Sequence, residues 1–120
     1  MGTHRRGMGE HMSVKQHLVD LQQKMNNNPE GIERLQGVYQ FDLIGDVEEQ
    51  YQVKFENGTA HLFETTELVP DCTLQLSGEN LLKLLSGNFN TTMAFMTGKL
   101  KVKGDITLAL KLQSALERYS

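Results

Sequence analysis

Apolar side chains recur at every second position through "VYQFDLIG" and again through "YQVKFENG". Tyr39, Phe41 and Leu43 share one side of the first run, with Gln40 and Asp42 on the other. In the second run Tyr51, Val53 and Phe55 oppose Gln52, Lys54 and Glu56. A period of two marks a strand, because successive side chains of an extended backbone point to opposite faces. Asn57-Gly58 follows directly and accepts the positive φ angles of a two-residue hairpin, so "TAHLFETT" returns as a paired third strand. "CTLQL" repeats the alternation with Leu74 and Leu76 inward. "KLKVK" does so with Leu100 and Val102 inward and Lys99, Lys101 and Lys103 outward. The spacing predicts five strands, over 38–44, 50–56, 60–65, 72–76 and 99–103. Alternation this regular implies one covered face and one wet face.

The covering elements announce themselves at a different period. Val14, Leu18, Leu21 and Met25 recur at helical spacing and predict a helix over 14–26, with Ser13 and Gln16 as its capping box. Asn28 and Pro29 predict a short second helix over 29–36 that ends at Gly37. Ser77 caps "GENLLKLLS", which Gly87 closes; Asn90 caps "TTMAFMT", which Gly98 closes; Asp105 caps a last helix reaching about residue 117. In that last helix Ile106, Leu108, Ala109, Leu110, Leu112, Ala115 and Leu116 spread around much of the circumference, so it has more than one apolar neighbour. Hairpin links make the sheet mainly antiparallel and leave the helices together on its apolar face. The expected architecture is α+β, a five-stranded mainly antiparallel sheet with about five helices packed on one face.

A chain of 120 residues suits one such domain, here assigned to 13–120. Residues 1–12 carry basic side chains but no apolar core of a secretory signal, and read as a leader or disordered tail. The net charge of -3 and the isoelectric point near 5.8 argue against nucleic acid as a partner, since no broad basic excess exists to displace counterions. Cys72 is the only cysteine, so no internal disulfide forms, which fits a reducing cytosol. No apolar run approaches the ~20 residues of a membrane span.

Catalytic groupings are absent from the spacing. No HxxxH or HExxH pair exists for a metal, and no GxGxxG or P-loop lysine for a phosphate. Cys72 with His61 is the one nucleophile–base combination, and a buried inert cysteine is the far commoner state. Glu48, Glu49, Glu64 and Glu67 read as solvated turn and strand residues. The expectation is a protein that is not an enzyme and uses neither cofactor nor metal. Residues 89–112 remain: "FNTTMAFMTGKLKVKGDITLALKL" combines methionine and phenylalanine with a local cluster of lysines. Methionine is flexible and polarizable and adapts to varied ligand shapes, yet ordinary core packing accounts for the same spacing. Lys99, Lys101, Lys103 and Lys111 suit a carboxylate, CoA phosphates or a transient contact with an anionic membrane surface, and equally the wet face of an edge strand.

"AFMTGKLKVKGDITLALKLQ", residues 94–113, resembles the C-terminal signature of the sterol carrier protein type 2 (SCP2 sterol-transfer) family. "GVYQFDLIG", "YQVKFENG" and "PDCTLQLSGENLLKLLSGNFN" extend the likeness over roughly residues 14–117, with "MTGKLKVKGD" its most specific part. The resemblance implies a hydrophobic tunnel between the helices and the sheet. There, family members hold fatty acids, fatty acyl-CoA or sterol-like lipids without chemistry. It makes Phe89, Met93, Phe95 and Met96 candidate lipid contacts, with Leu100, Leu108 and Leu112 as weaker ones and Gln113 as a polar handle for a head group. On this reading an aspartate at Met96 abolishes lipid uptake. The segment from Ser86 to Gly98, hinged at Gly87 and Gly98, is the expected gate. The chain ends "LERYS" rather than in a peroxisomal Ser-Lys-Leu, so a stand-alone, bacterial-type cytoplasmic member is expected, as a monomer or weak dimer. The other function class is an accessory or interaction module, whose apolar groove packs a partner protein or a second subunit.

Overall fold

The computed structural model describes residues 2–45 and 49–119, with side chains from residue 14 onward. In chain order the elements are helix α1 (Gly2–Asn27), a 3-10 turn (Pro29–Ile32), strands β1 (Gly37–Ile44), β2 (Gln50–Glu56), β3 (Thr59–Phe63) and β4 (Cys72–Ser77), helices α2 (Gly78–Leu85) and α3 (Thr91–Met96), strand β5 (Lys101–Gly104), and helix α4 (Ile106–Glu117). The five strands form one sheet in the order β3-β2-β1-β4-β5. The α+β architecture is as expected, with two differences of detail. Four α-helices and a 3-10 turn replace five helices. A segment as short as 29–36 gains little from helical bonding, and the chain opens after Ile32 to bury Leu35 and start β1. Helix α1 also runs through Ser13, which is therefore internal to it and not its cap. The side chains before Val14 lie outside the described residues.

The second difference is in the sheet. Three neighbouring pairs are antiparallel, but β1 and β4 run parallel, with Tyr39 opposite Cys72 and Leu43 opposite Leu76. The link from β3 to β4 therefore crosses behind β2 and β1, on the face away from the helices. Residues 64–71 form that crossing, and they cover Gln52, which the alternation placed on a wet face but which is 0% exposed. Burial without partners would be costly. Gln52 is fully engaged: its Nε2 donates to the Leu68 carbonyl (2.8 Å) and to Gln40 Oε1 (2.9 Å), and its Oε1 accepts from the Leu68 N–H (3.2 Å). Asp71 fastens the end of the crossing, where its carboxylate accepts from the Val38 N–H (2.8 Å) and its own N–H donates to the Val38 carbonyl.

The hairpin between β2 and β3 forms where Asn57-Gly58 put it, with φ of 53° and 73° at the two residues. β3 is an edge strand, and its outer edge is occupied by α1. Asn26 Nδ2 donates to the Ala60 carbonyl (3.0 Å), Asn26 Oδ1 accepts from the Ala60 N–H (2.8 Å), and Gln22 Oε1 accepts from the Leu62 N–H (2.6 Å). Two side chains of a helix thus take the place of a sixth strand, which satisfies the edge and blunts its tendency to pair with another chain. The face beneath α1, α2 and α4 carries Tyr39, Phe41, Leu43, Val53, Phe55 and Leu74, all in one buried cluster. Tyr39 sits at its centre, edge-on to Phe55 with ring centroids 5.5 Å apart, and its hydroxyl donates to the Leu108 carbonyl of α4 (2.8 Å).

Candidate functional site

The apolar layer is not completely filled. Between the sheet and the helices lies a hollow of about 20 Å³. Phe41, Val53 and Phe55 form its floor, Leu18, Leu21 and Met25 of α1 its roof, and Leu85 of α2 with Leu112 and Leu116 of α4 its side. Ala60 and Leu62 of β3 complete the wall, and Gln22 is its one polar residue. The spacing of α1 explains the roof: Leu21 and Gln22 each stand three or four residues from Leu18 and from Met25, so the four share one face. A space of this size holds about one water molecule. Ligand pockets typically measure about 300–1,000 Å³. The hollow is too small for a long guest, which would have to part the helices from the sheet.

The residues singled out from the sequence fall into four groups. Leu112 is on the wall of the hollow. Phe89, Leu100 and Leu108 belong to the packed core or its margin but not to that wall. Met93, Phe95 and Met96 are exposed, at 61%, 46% and 79%. An aspartate at Met96 would therefore be solvated, and the expectation that it abolishes uptake in the hollow loses its physical basis. Gln113 is engaged: its Oε1 accepts from the Thr91 N–H at the start of α3 (2.8 Å), and its Nε2 donates to Glu117 (3.3 Å). Beside it the Thr91 hydroxyl is buried without a hydrogen-bond partner, the only such side-chain atom found among the described residues. The α1 residues of the wall stood in the sequence at clear helical spacing. Nothing local distinguished a residue beside a hollow from one in solid core.

Helix α3 is held firmly for its length. Asn90 Oδ1 accepts from the Met93 N–H (2.9 Å). At the other end Gly98, with φ of 80°, lets the Lys99 N–H reach the Ala94 carbonyl (2.9 Å). Gly87 closes α2 in the same way, with φ of 79° and the Asn88 N–H on the Lys83 carbonyl (2.9 Å). Both glycines thus act as left-handed helix caps, whatever hinge they also provide.

The electrostatics around the hollow are those of a closed apolar layer. Burial pushes the Cys72 thiol up to about 11, helped by the nearby Asp105 and Asp71 carboxylates. Burial likewise drives the Tyr39 hydroxyl above its ordinary range, so both groups stay neutral at physiological pH. Asp105 is held below the usual carboxylate range by hydrogen bonds from the Thr107 hydroxyl and N–H at the start of α4. Cys72 and His61 cannot act together. Cys72 faces the helices from β4 while His61, paired with Lys54, lies exposed on the other face of β3, three strand spacings or roughly 14 Å across the sheet. The described residues contain no group of three His, Cys, Asp or Glu side chains suited to a metal ion. No described helix is long and apolar enough to cross a membrane.

A family model described as the SCP-2 sterol transfer family matches residues 17–117. The chain belongs to that family. Hydroxysteroid dehydrogenase-like protein 2 of Xenopus tropicalis is 36% identical over 90 residues, which is 74% of this chain and 22% of the relative. This chain spans about a fifth of the length of the curated relatives it matches. The solution structure of the sterol carrier protein domain 2 of Helicoverpa armigera superposes with a TM-score of 0.70 at 30% identity, covering 87% of this chain and 84% of that one. Sterol carrier protein 2 of Aedes aegypti, solved in complex with palmitate, superposes with a TM-score of 0.60 at 16% identity, covering 80% and 90%, and so shares the fold.

Proposed function

We propose that this domain binds single long-chain lipids, namely fatty acids, fatty acyl-CoA or sterol-like molecules, and carries them in the cytosol without chemistry. The observation that carries this reading is membership of the SCP-2 sterol transfer family over residues 17–117. The palmitate bound by the Aedes aegypti protein of the same fold supports it, and the apolar hollow between sheet and helices, with Gln22 as its one polar residue, agrees with it. Each buried CH2 of an acyl chain contributes ~0.8 kcal/mol, so a long fatty acid binds in the micromolar range or tighter with no covalent help. On this reading the acyl chain enters as α1 lifts from the edge of β3, where Asn26 and Gln22 hold it by side-chain hydrogen bonds. Gln22 is the polar side chain on the wall of the hollow, and its Oε1 accepts from the Leu62 N–H.

Native mass spectrometry of the purified domain, with and without added palmitate, tests the proposal. One lipid per protein chain is expected. A domain that yields no lipid on organic extraction, and takes up none at tens of micromolar palmitate, would leave the interaction-module class instead.

A further inference from the structure

The apolar hollow has a neighbour on the surface. A cleft of about 590 Å³ lies between α1, the end of α2 and Tyr119. That volume is within the range of ordinary ligand pockets, about 300–1,000 Å³, which the hollow is far below. Leu21 of α1 and Leu85 of α2 line both spaces, so these two side chains stand between them. Leu21 is half-buried, with the cleft on one flank, whereas Leu18 and Met25 of the same roof are buried. Helical spacing produces this double wall. His17, Leu21 and Lys24 follow at four and three residues and turn one flank of α1 to the cleft, beside the flank that roofs the hollow. The two spaces differ in chemistry. Gln22 is the one polar residue of the hollow, but the cleft is rimmed by Gln23, Lys24 and Asn27, all exposed. Among the described residues Lys24 has no carboxylate partner, and Asp20, the acid of the cleft, accepts from Gln16 Nε2 (2.9 Å).

We infer that this cleft holds the polar end of the lipid whose acyl chain lies in the hollow, with Leu21 and Leu85 as the door between the two spaces. The inference rests on the lipid-carrying reading and adds which end of the guest lies where. Lifting α1 carries Leu21 away from Leu85, so the movement that frees the edge of β3 also opens the door. The head group that fits is compact. Lys24 and Asp20 balance, which leaves the cleft without the positive excess that several phosphates require. A single carboxylate or a hydroxyl suits it, because Lys24 supplies one cation and the Gln23 and Asn27 amides supply neutral donors. The Tyr119 hydroxyl is already engaged, donating to the Asn28 carbonyl (2.6 Å) and accepting from the Gly31 N–H (3.0 Å), so that residue offers the head group its ring. Of the lipids proposed above, the fatty acid and the sterol-like molecule match this site better than acyl-CoA.

Stearate carrying a nitroxide near its carboxyl end or near its methyl end tests the placement, read as paramagnetic broadening of backbone amide signals. The carboxyl-end label should broaden Leu21, Lys24, Leu85 and Ser86 most, and the methyl-end label Val53, Phe55 and Ala60. The reverse pattern, or no broadening at the cleft by either label, overturns the inference alone. A protein that takes up neither label refutes the lipid-carrying reading itself, and the inference falls with it. Lys24→Glu should weaken palmitate binding about five-fold, with methyl palmitate binding and the melting temperature unchanged, because only the carboxylate meets the reversed charge. Equal losses for both ligands, or no loss for palmitate, overturn the head-group assignment. Leu21→Ala should speed stopped-flow uptake of a fluorescent fatty acid about three-fold or more, while Leu62→Ala, on the wall of the hollow but not of the cleft, should not. Equal rates in the two variants overturn the door.

Discussion

Replacing Leu112 by Ala should loosen the apo protein and at the same time improve it as a container. Leu112 is 2% exposed and stands on the wall of the 20 Å³ hollow. Removing three buried carbons forfeits about 2.4 kcal/mol of transfer free energy at ~0.8 kcal/mol each. The void left behind adds to this, and buried Leu→Ala changes cost roughly 2–5 kcal/mol in total. Because the new void merges with an existing one, relaxation is limited, and about 3–4 kcal/mol is expected. Guanidinium unfolding of the lipid-free variant measures that loss. A guest that fills the enlarged space restores part of it, so palmitate should raise the midpoint of the variant by more than it raises that of the unmodified protein. Fluorescent fatty-acid titration should show equal or tighter binding. If the variant loses the expected stability but palmitate stabilises it no more than the parent, the acyl chain does not occupy this hollow and the reasoning fails.

Asn26→Ala removes both hydrogen bonds to Ala60 and should cost about 1–3 kcal/mol, since a partly buried N–H and C=O lose their partner; stopped-flow uptake of a fluorescent fatty acid should also become faster if α1 is the moving part. Hydrogen exchange distinguishes two gates. Early exchange at Ala60 and Leu62, whose N–H groups are held only by α1 side chains, slowing when palmitate is bound, marks α1; the same behaviour confined to residues 88–97 would mark α3 instead. Cys72 should be inert to thiol reagents in the folded protein and react only on unfolding. Its thiol is raised from 9.0 to about 11 in the fold, so the unfolded chain loses its proton first. Stability is therefore full below about pH 9 and falls as pH rises towards 11, by roughly 2–3 kcal/mol. Cys72→Ala should remove this part of the alkaline decline in urea melts, and an unchanged decline would show that the thiol is not its source.

Local rules placed most of the elements because each rested on neighbours in the chain. Asn57-Gly58 turned the hairpin, and Ser77, Asn90 and Asp105 each accept a backbone N–H at the helix start they were expected to cap. Val14, Leu18 and Met25 are buried as their spacing required. The misplacements share a cause. Ser13 and Gln16 matched a capping box, yet a helix continues through them, since a cap motif is permissive and not compulsory. Met93, Phe95 and Met96 matched ordinary core packing because apolar residues usually turn inward, but Thr91 and Ala94 are the pair that faces in. Hydrophobicity alone does not say which face of a six-residue helix meets its neighbours.

By itself the sequence determined the period of each segment, most of its turns and caps, and, through the family signature, its likeness to the SCP-2 sterol transfer family. Those depend on contacts within a few residues, where backbone sterics and side-chain spacing leave few choices. The tertiary structure alone decided the parallel pairing of β1 with β4, the burial of Gln52 under residues 64–71, and the clasp of Asn26 and Gln22 on β3. It also decided that the roof of the hollow is α1 while α3 faces solvent. Each of these joins residues far apart in the chain, and a hollow is set by how well several surfaces fit together, which no single segment encodes.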